Sequence, residues 1–174
     1  MNRTNRSGII KGGVIGGKSQ SGLWKLDARY NKDNLVERIK RIAKLKKKIH
    51  LYNKDIESFL INYIPKYENK SFVYFDPPYF NKGKQLYMNF FNYENHIQIE
   101  KYISKYVKCD WIITYDYVPE ILDIYDKYFK CSFDLNYSAA NKRKAKELMV
   151  FKDKSLMPHA DFNHKPININ LTAV

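Results

Sequence analysis

The sequence predicts an α/β domain, a mostly parallel sheet with helices on both faces that closes in a C-terminal antiparallel hairpin. Three observations carry this prediction. Short runs rich in aliphatic and aromatic residues alternate with segments whose apolar residues recur at helical spacing. Two of the runs, 71–75 and 111–115, are apolar without clean alternation, as strands buried on both faces of a parallel sheet are. The last two strand-like runs, 131–137 and 147–152, are joined by a basic loop rather than a helix, which implies an antiparallel pair at one edge.

Residues 1–31 form a segment of their own. Six of the seven glycines lie between Gly8 and Gly22, interleaved with Arg3, Arg6, Lys11, Lys18, Lys25 and Arg29. That composition predicts loops and turns with little regular helix. Over 33–47, Leu35, Ile39, Ile42 and Ala43 fall on one helical face, with Asp33 as N-cap and basic residues toward the C-terminal end of the dipole. Ile49-His50-Leu51-Tyr52 reads as a short strand, and a helix over 56–63 closes near Pro65. Ile97, Ile99, Tyr102, Ile103 and Tyr106 predict a helix over 94–106, and another is expected over 118–129. The chain divides on this reading into 1–31, 32–153 and a polar tail, 154–174.

A chain of 174 residues buries roughly two thirds of its unfolded surface, enough for an ordinary core without staples. The net charge of +13 points to a polyanionic partner, of which nucleic acid is the commonest. Cys109 and Cys131 fit no metal or redox spacing, and His50, His96, His159 and His164 are scattered, so no metal site is expected. No apolar run approaches the length of a membrane span and no secretory leader is evident, so a cytoplasmic protein is expected.

The most chemically specific stretch is Asp76-Pro77-Pro78-Tyr79, directly after the apolar run ending at Phe75. In open parallel sheets ligands bind beyond the carboxyl ends of strands, where this tetrapeptide falls. Two prolines fix the backbone and remove two N–H donors, leaving carbonyls aimed outward. The Asp76 carboxylate and the Pro77 carbonyl together offer acceptors for both hydrogens of an exocyclic amine. Such acceptors favour the more tetrahedral nitrogen that develops as an adenine amine attacks, so they act on the transition state. Tyr79 offers a flat face on which an extruded base can stack, worth about 1–3 kcal/mol. A Pro-containing turn of no catalytic meaning is the plainer reading of the same residues.

From Asn2 to about Asp153 the chain resembles the Dam-like, alpha-group DNA adenine methyltransferases. The matching pieces are Asn2-Arg3-Thr4-Asn5-Arg6-Ser7-Gly8, Asp76-Pro77-Pro78-Tyr79, Tyr115-Asp116, and the hairpin from Leu135-Asn136-Tyr137-Ser138 to Glu147-Leu148-Met149-Val150-Phe151. The resemblance implies a partial Rossmann-like sheet that uses S-adenosylmethionine and acts on double-stranded DNA. It makes 1–31 a target-recognition segment and 32–153 the catalytic region. Asp76, Pro77, Pro78 and Tyr79 would be catalytic, with Asp76 and Pro77 also bordering the cofactor. Asp55 would contact the cofactor's adenine, and it is equally readable as a helix N-cap; the two roles are compatible. Arg3, Arg6, Lys11, Lys18 and Arg29, with Asn141, Lys142, Arg143 and Lys144 of the terminal hairpin, would contact DNA. The family carries a Phe-x-Gly-x-Gly cofactor loop ahead of the basic segment, and here that loop is expected from a separate chain, or else the product is truncated.

Three rival functions remain. Truncation would leave a DNA-binding remnant without catalysis. Residues 12–19 also satisfy the P-loop pattern, with Lys18 in the lysine position, although no apolar strand precedes them and Gly22 interrupts a following helix. Methylation of RNA or protein through a related Pro-Pro-Tyr motif is disfavoured by the Arg- and Gly-rich segment upstream.

Overall fold

The apolar runs at the middle and end of the chain pair with one another, and the helices between them cover one face of the sheet they make. The computed structural model describes residues 3–6, 12–67, 70–81, 91–137, 143–158 and 171–173. It has two units, Met1–Asn53 and Lys54–Val174.

In the first unit Asn5 and Val14 form an antiparallel bridge. Arg6 N–H donates to Gly13 O at 2.9 Å and Ile15 N–H to Thr4 O at 2.9 Å. A glycine-dependent turn comes next. Gly16 has φ +87°, and a Cβ there would lie 2.8 Å from Trp24 O, so no other residue fits without a backbone shift. The Gln20 amide closes the turn, donating to Ile15 O at 2.9 Å and Gly17 O at 2.7 Å while accepting from Leu26 N–H at 2.8 Å. Helix α1 spans Lys32–Lys44. Its N-cap is Asn31, whose side chain accepts from Asn34 N–H at 3.0 Å, and Asp33 falls in the first turn instead. The apolar stripe read from the sequence is present but uncovered, with Ile39 65% and Ile42 59% exposed.

The expected strand over 49–52 does not form. A single 3-10 turn, Lys46–Lys48, leads into chain without regular structure that pairs with no strand among the described residues, and Leu51 is 90% exposed. A strand of four residues survives only where neighbouring strands pair with its backbone, and among the described residues none pairs with this segment.

The second unit starts with α2, Ile56–Asn62, capped by Asp55 and succeeded by a 3-10 turn, Ile64–Lys66, with Pro65 inside it. Strand β1, Phe72–Phe75, runs into helix α3, Tyr93–Tyr106, across a connection that is described only at its two ends. A reciprocal capping box joins Asn92 and Asn95 at the start of α3, worth about 1 kcal/mol. Strand β2, Asp110–Asp116, leads to the short helix α4, Pro119–Ile124. Expected to reach 129, α4 stops where Lys130 donates to Tyr125, Asp126 and Tyr128 carbonyls at 3.0, 2.9 and 3.2 Å. Strands β3, Phe129–Tyr137, and β4, Arg143–Phe151, close the unit with β5, Leu171–Ala173.

The sheet order is β1-β2-β4-β3-β5. Among the described residues only β1 and β2 pair in parallel, Phe72 opposite Asp110 through Phe75 opposite Ile113. The other pairings are antiparallel, so this is an open mixed sheet rather than a mostly parallel one. The reason lies in the last long strand. Strands β1, β2 and β3 share a direction, but β4 returns between β2 and β3 instead of adding at the edge. The tail contributes as well, since β5 pairs with β3.

Strand alternation sorts the side chains by face. Phe75, Trp111, Ile113, Tyr115, Leu148 and Val150 face the helices and join Leu60, Ile99, Ile103, Ile121 and Tyr125 in the core. Each such aliphatic or aromatic burial contributes about 1.5–3 kcal/mol. The sequence predicts β1 buried on both faces. Its other face instead presents Phe72 and Tyr74, 56% and 54% exposed, while β2 is buried over most of its length.

Candidate functional site

Asp76-Pro77-Pro78-Tyr79 leaves the C-terminal end of β1, beside the C-terminal end of the parallel strand β2. Asp76 is exposed, Pro77 is buried, and Pro78 and Tyr79 are half-buried. The prolines therefore sit against the protein while the carboxylate faces outward.

Two acids from neighbouring strands hold the residues from Tyr79 to Asn81. Asp116 ends β2, and its Oδ1 accepts the Phe80 amide at 2.8 Å while Oδ2 accepts the Asn81 amide at 2.9 Å. The Tyr79 hydroxyl donates to Glu147 Oε1 at 3.1 Å. Asp116 and Glu147 lie directly opposite each other across β2 and β4. Both are nearly fully buried, at 7% and 4% exposure. Around them, Tyr117 N–H donates to Lys146 O at 3.3 Å, and Lys146 Nζ sits 4.3 Å from the Tyr117 ring centroid.

An aromatic layer packs behind the loop. Phe80 meets the His96 ring at 5.4 Å, Phe91 meets it at 5.7 Å and Tyr115 at 5.4 Å, centroid to centroid. His96 is fully buried on α3, with Nδ1 3.2 Å from the Tyr115 hydroxyl; among the described residues Nε2 has no hydrogen-bond partner. Burial pulls the His96 pKa below its ordinary value, and the nearby Asp116 carboxylate opposes that pull. Burial likewise drives the Tyr115 phenol well above its usual range, so it stays a neutral hydroxyl.

The other sequence candidates are dispersed. Asp55 caps α2, with Oδ1 accepting the Ser58 amide at 2.9 Å, so its N-cap role is present and the cofactor role is a separate matter. Arg3, Arg6, Lys18 and Arg29 are exposed in the first unit. Lys11, Asn141 and Lys142 lie outside the described residues, while Arg143 and Lys144 belong to β4, which begins earlier than the sequence suggested. Residues 12–19 do not build a phosphate loop. The Gly17, Gln20 and Gly22 amides are spent on Val14, Gly17 and Gly16 carbonyls within the turn, and the next described helix starts only at Lys32.

Sequence reasoning passed over Asp116 and Glu147 as site residues. Their signal was present: each is an acid abutting an apolar run, Trp111-Ile112-Ile113-Thr114-Tyr115 and Leu148-Met149-Val150-Phe151. Only the register of β4 against β2 brings the two together. The fold and site define an α/β protein with an open mixed sheet and an acceptor-rich loop at the strand ends. No protein-family model matches the chain, and no curated protein matches it.

Proposed function

We propose that this chain carries the amine-gripping and DNA-recognition portion of an adenine-N6 DNA methyltransferase. The observation that carries the reading is Asp76-Pro77-Pro78-Tyr79 at the end of β1, next to the end of a parallel strand, where open α/β sheets collect their ligands. The last long strand, β4, which returns antiparallel beside β2, is compatible with the ending of a partial Rossmann-like methyltransferase sheet.

On this reading Asp76 and the Pro77 carbonyl accept the two hydrogens of an adenine amine, and Tyr79 stacks on the extruded base. The acceptors tighten as the nitrogen becomes tetrahedral, which lowers the barrier rather than only binding substrate. S-adenosylmethionine, when bound, supplies the methyl group. The donor set suits it, because Asp55, Asp76 and Pro77 offer oxygen acceptors, matched to a cationic ligand rich in N–H donors. No metal is part of this reaction as proposed.

The duplex would be held by the first unit. Residues 1–53 carry 14 Lys and Arg against 3 Asp and Glu, so most of the +13 net charge resides there. That concentration in the unit that does not carry the acceptor loop also favours a second reading, a DNA-binding remnant without catalysis. Calorimetry with S-adenosylmethionine separates the two: saturable binding supports the enzyme, and its absence supports the remnant. The catalytic reading is tested by Asp76→Ala in an assembly that methylates DNA. Loss of methylation with DNA binding largely retained is expected, and retained methylation would sink the proposal.

A further inference from the structure

We propose that Asp116 and Glu147 form a two-carboxylate clamp that sets the conformation of the Asp76–Tyr79 loop, making them positioning residues for the site. The consequence for stacking and methyl transfer rests on the methyltransferase reading; the clamp itself rests on geometry alone.

The starting point is a cost. A carboxylate buried to 7% or 4% exposure is unfavourable unless hydrogen bonds replace its water, and here two of them sit side by side. Pairing two like charges directly across an antiparallel ladder is itself destabilising. Both acids are turned to the one loop that leaves β1. Asp116 uses both oxygens on consecutive amides, Phe80 at 2.8 Å and Asn81 at 2.9 Å, and Glu147 takes the Tyr79 hydroxyl at 3.1 Å. The loop has special need of them. Pro77 and Pro78 have no N–H to give to the sheet, so donors on Tyr79, Phe80 and Asn81 must anchor it.

The clamp acts on orientation and on charge. Asp116 fixes the backbone just beyond Tyr79, and Glu147 fixes the far end of the Tyr79 side chain, so the ring's orientation is restrained from both ends. A phenol donating to a carboxylate gains ring electron density, which strengthens its attraction for a cation. Two buried negative groups beneath the loop also favour positive charge arriving at a nitrogen held by Asp76, and that charge exists only as the methyl group is transferred.

The test uses the whole chain and reads the loop directly. Amide exchange at Phe80 and Asn81 is measured by NMR in the wild type, Asp116→Asn and Asp116→Ala, with Ile113 and Leu148 as sheet controls. Removing both acceptors in Asp116→Ala is expected to speed exchange at both loop amides by about tenfold or more while the sheet amides hold. Asp116→Asn, which keeps one acceptor oxygen and the side-chain size, is expected to release one of the two amides and spare the other. In Glu147→Gln the Tyr79 Cζ resonance is expected to move, as the charge-assisted bond becomes a neutral one. Unchanged exchange at both amides in Asp116→Asn, or an unmoved Tyr79 resonance in Glu147→Gln, would overturn the clamp. Failure of the methyltransferase reading appears elsewhere. A wild-type chain that leaves the fluorescence of 2-aminopurine DNA unaltered would argue against stacking on Tyr79 and leave the exchange result standing.

Discussion

Lowering the pH should weaken the second unit through His96, and the size of the effect has a physical ceiling. The imidazole is fully buried among Phe80, Phe91 and Tyr115, with Nδ1 3.2 Å from the Tyr115 hydroxyl. Burial, the larger influence, lowers its pKa from the ordinary value of 6.5, and the Asp116 carboxylate works the other way. The unfolded chain therefore binds the proton more readily than the folded one. The stability contributed by neutral His96 is fully present above the unfolded value and is lost as pH falls through the folded one. One group exchanging one proton limits the slope to about 1.4 kcal/mol per pH unit. Urea unfolding of the wild type and His96→Gln at steps between about pH 8 and pH 5 isolates this group, because the other titrating residues cancel in the difference. The wild type's advantage is expected to be constant at the alkaline end and to shrink below about pH 6.5. In Asp116→Asn, where the opposing carboxylate is gone, the loss should continue to lower pH. A difference that ignores pH, or one that grows on acidification, refutes the reasoning.

Two further outcomes depend on single side chains. Lys130→Met leaves three carbonyls at the end of α4 without their ammonium partner and should cost about 2–4 kcal/mol in urea unfolding; a change under about 0.5 kcal/mol would count against the assignment. Gly16→Ala and Gly17→Ala both put a side chain at positive φ, but only at Gly16 does the new Cβ meet backbone, Trp24 O at 2.8 Å. Gly17→Ala should cost about 1 kcal/mol and Gly16→Ala more, seen as faster exchange of the Gly22 amide that bonds Gly16 O; equal effects would contradict the packing described.

Local sequence determined the parts whose causes are local. The capping residues of α2 and α3, the apolar runs of β1 and β2, and the turn at Gly16 each arise from side chains within a few positions of one another. The position of Asp76-Pro77-Pro78-Tyr79 at the end of an apolar run was legible for the same reason, since the prolines restrict their own backbone and end the strand there. Tertiary structure was required for every outcome decided by distant neighbours. Ile49-His50-Leu51-Tyr52 has a strand's composition, yet among the described residues it has no partner strand, and it stays irregular and exposed. The helix expected to reach 129 ends at Ile124, and the Lys130 ammonium takes up the carbonyls of the turn beyond it, Tyr125, Asp126 and Tyr128. Most tellingly, β4 carries no mark in its own residues that it would enter between β2 and β3. That insertion turns the sheet mixed and sets Glu147 opposite Asp116, some thirty residues away in the chain. Register is chosen by the summed burial of whole strands rather than by any one residue. The sequence therefore named the loop, and the register of β4 supplied the two acids that hold it.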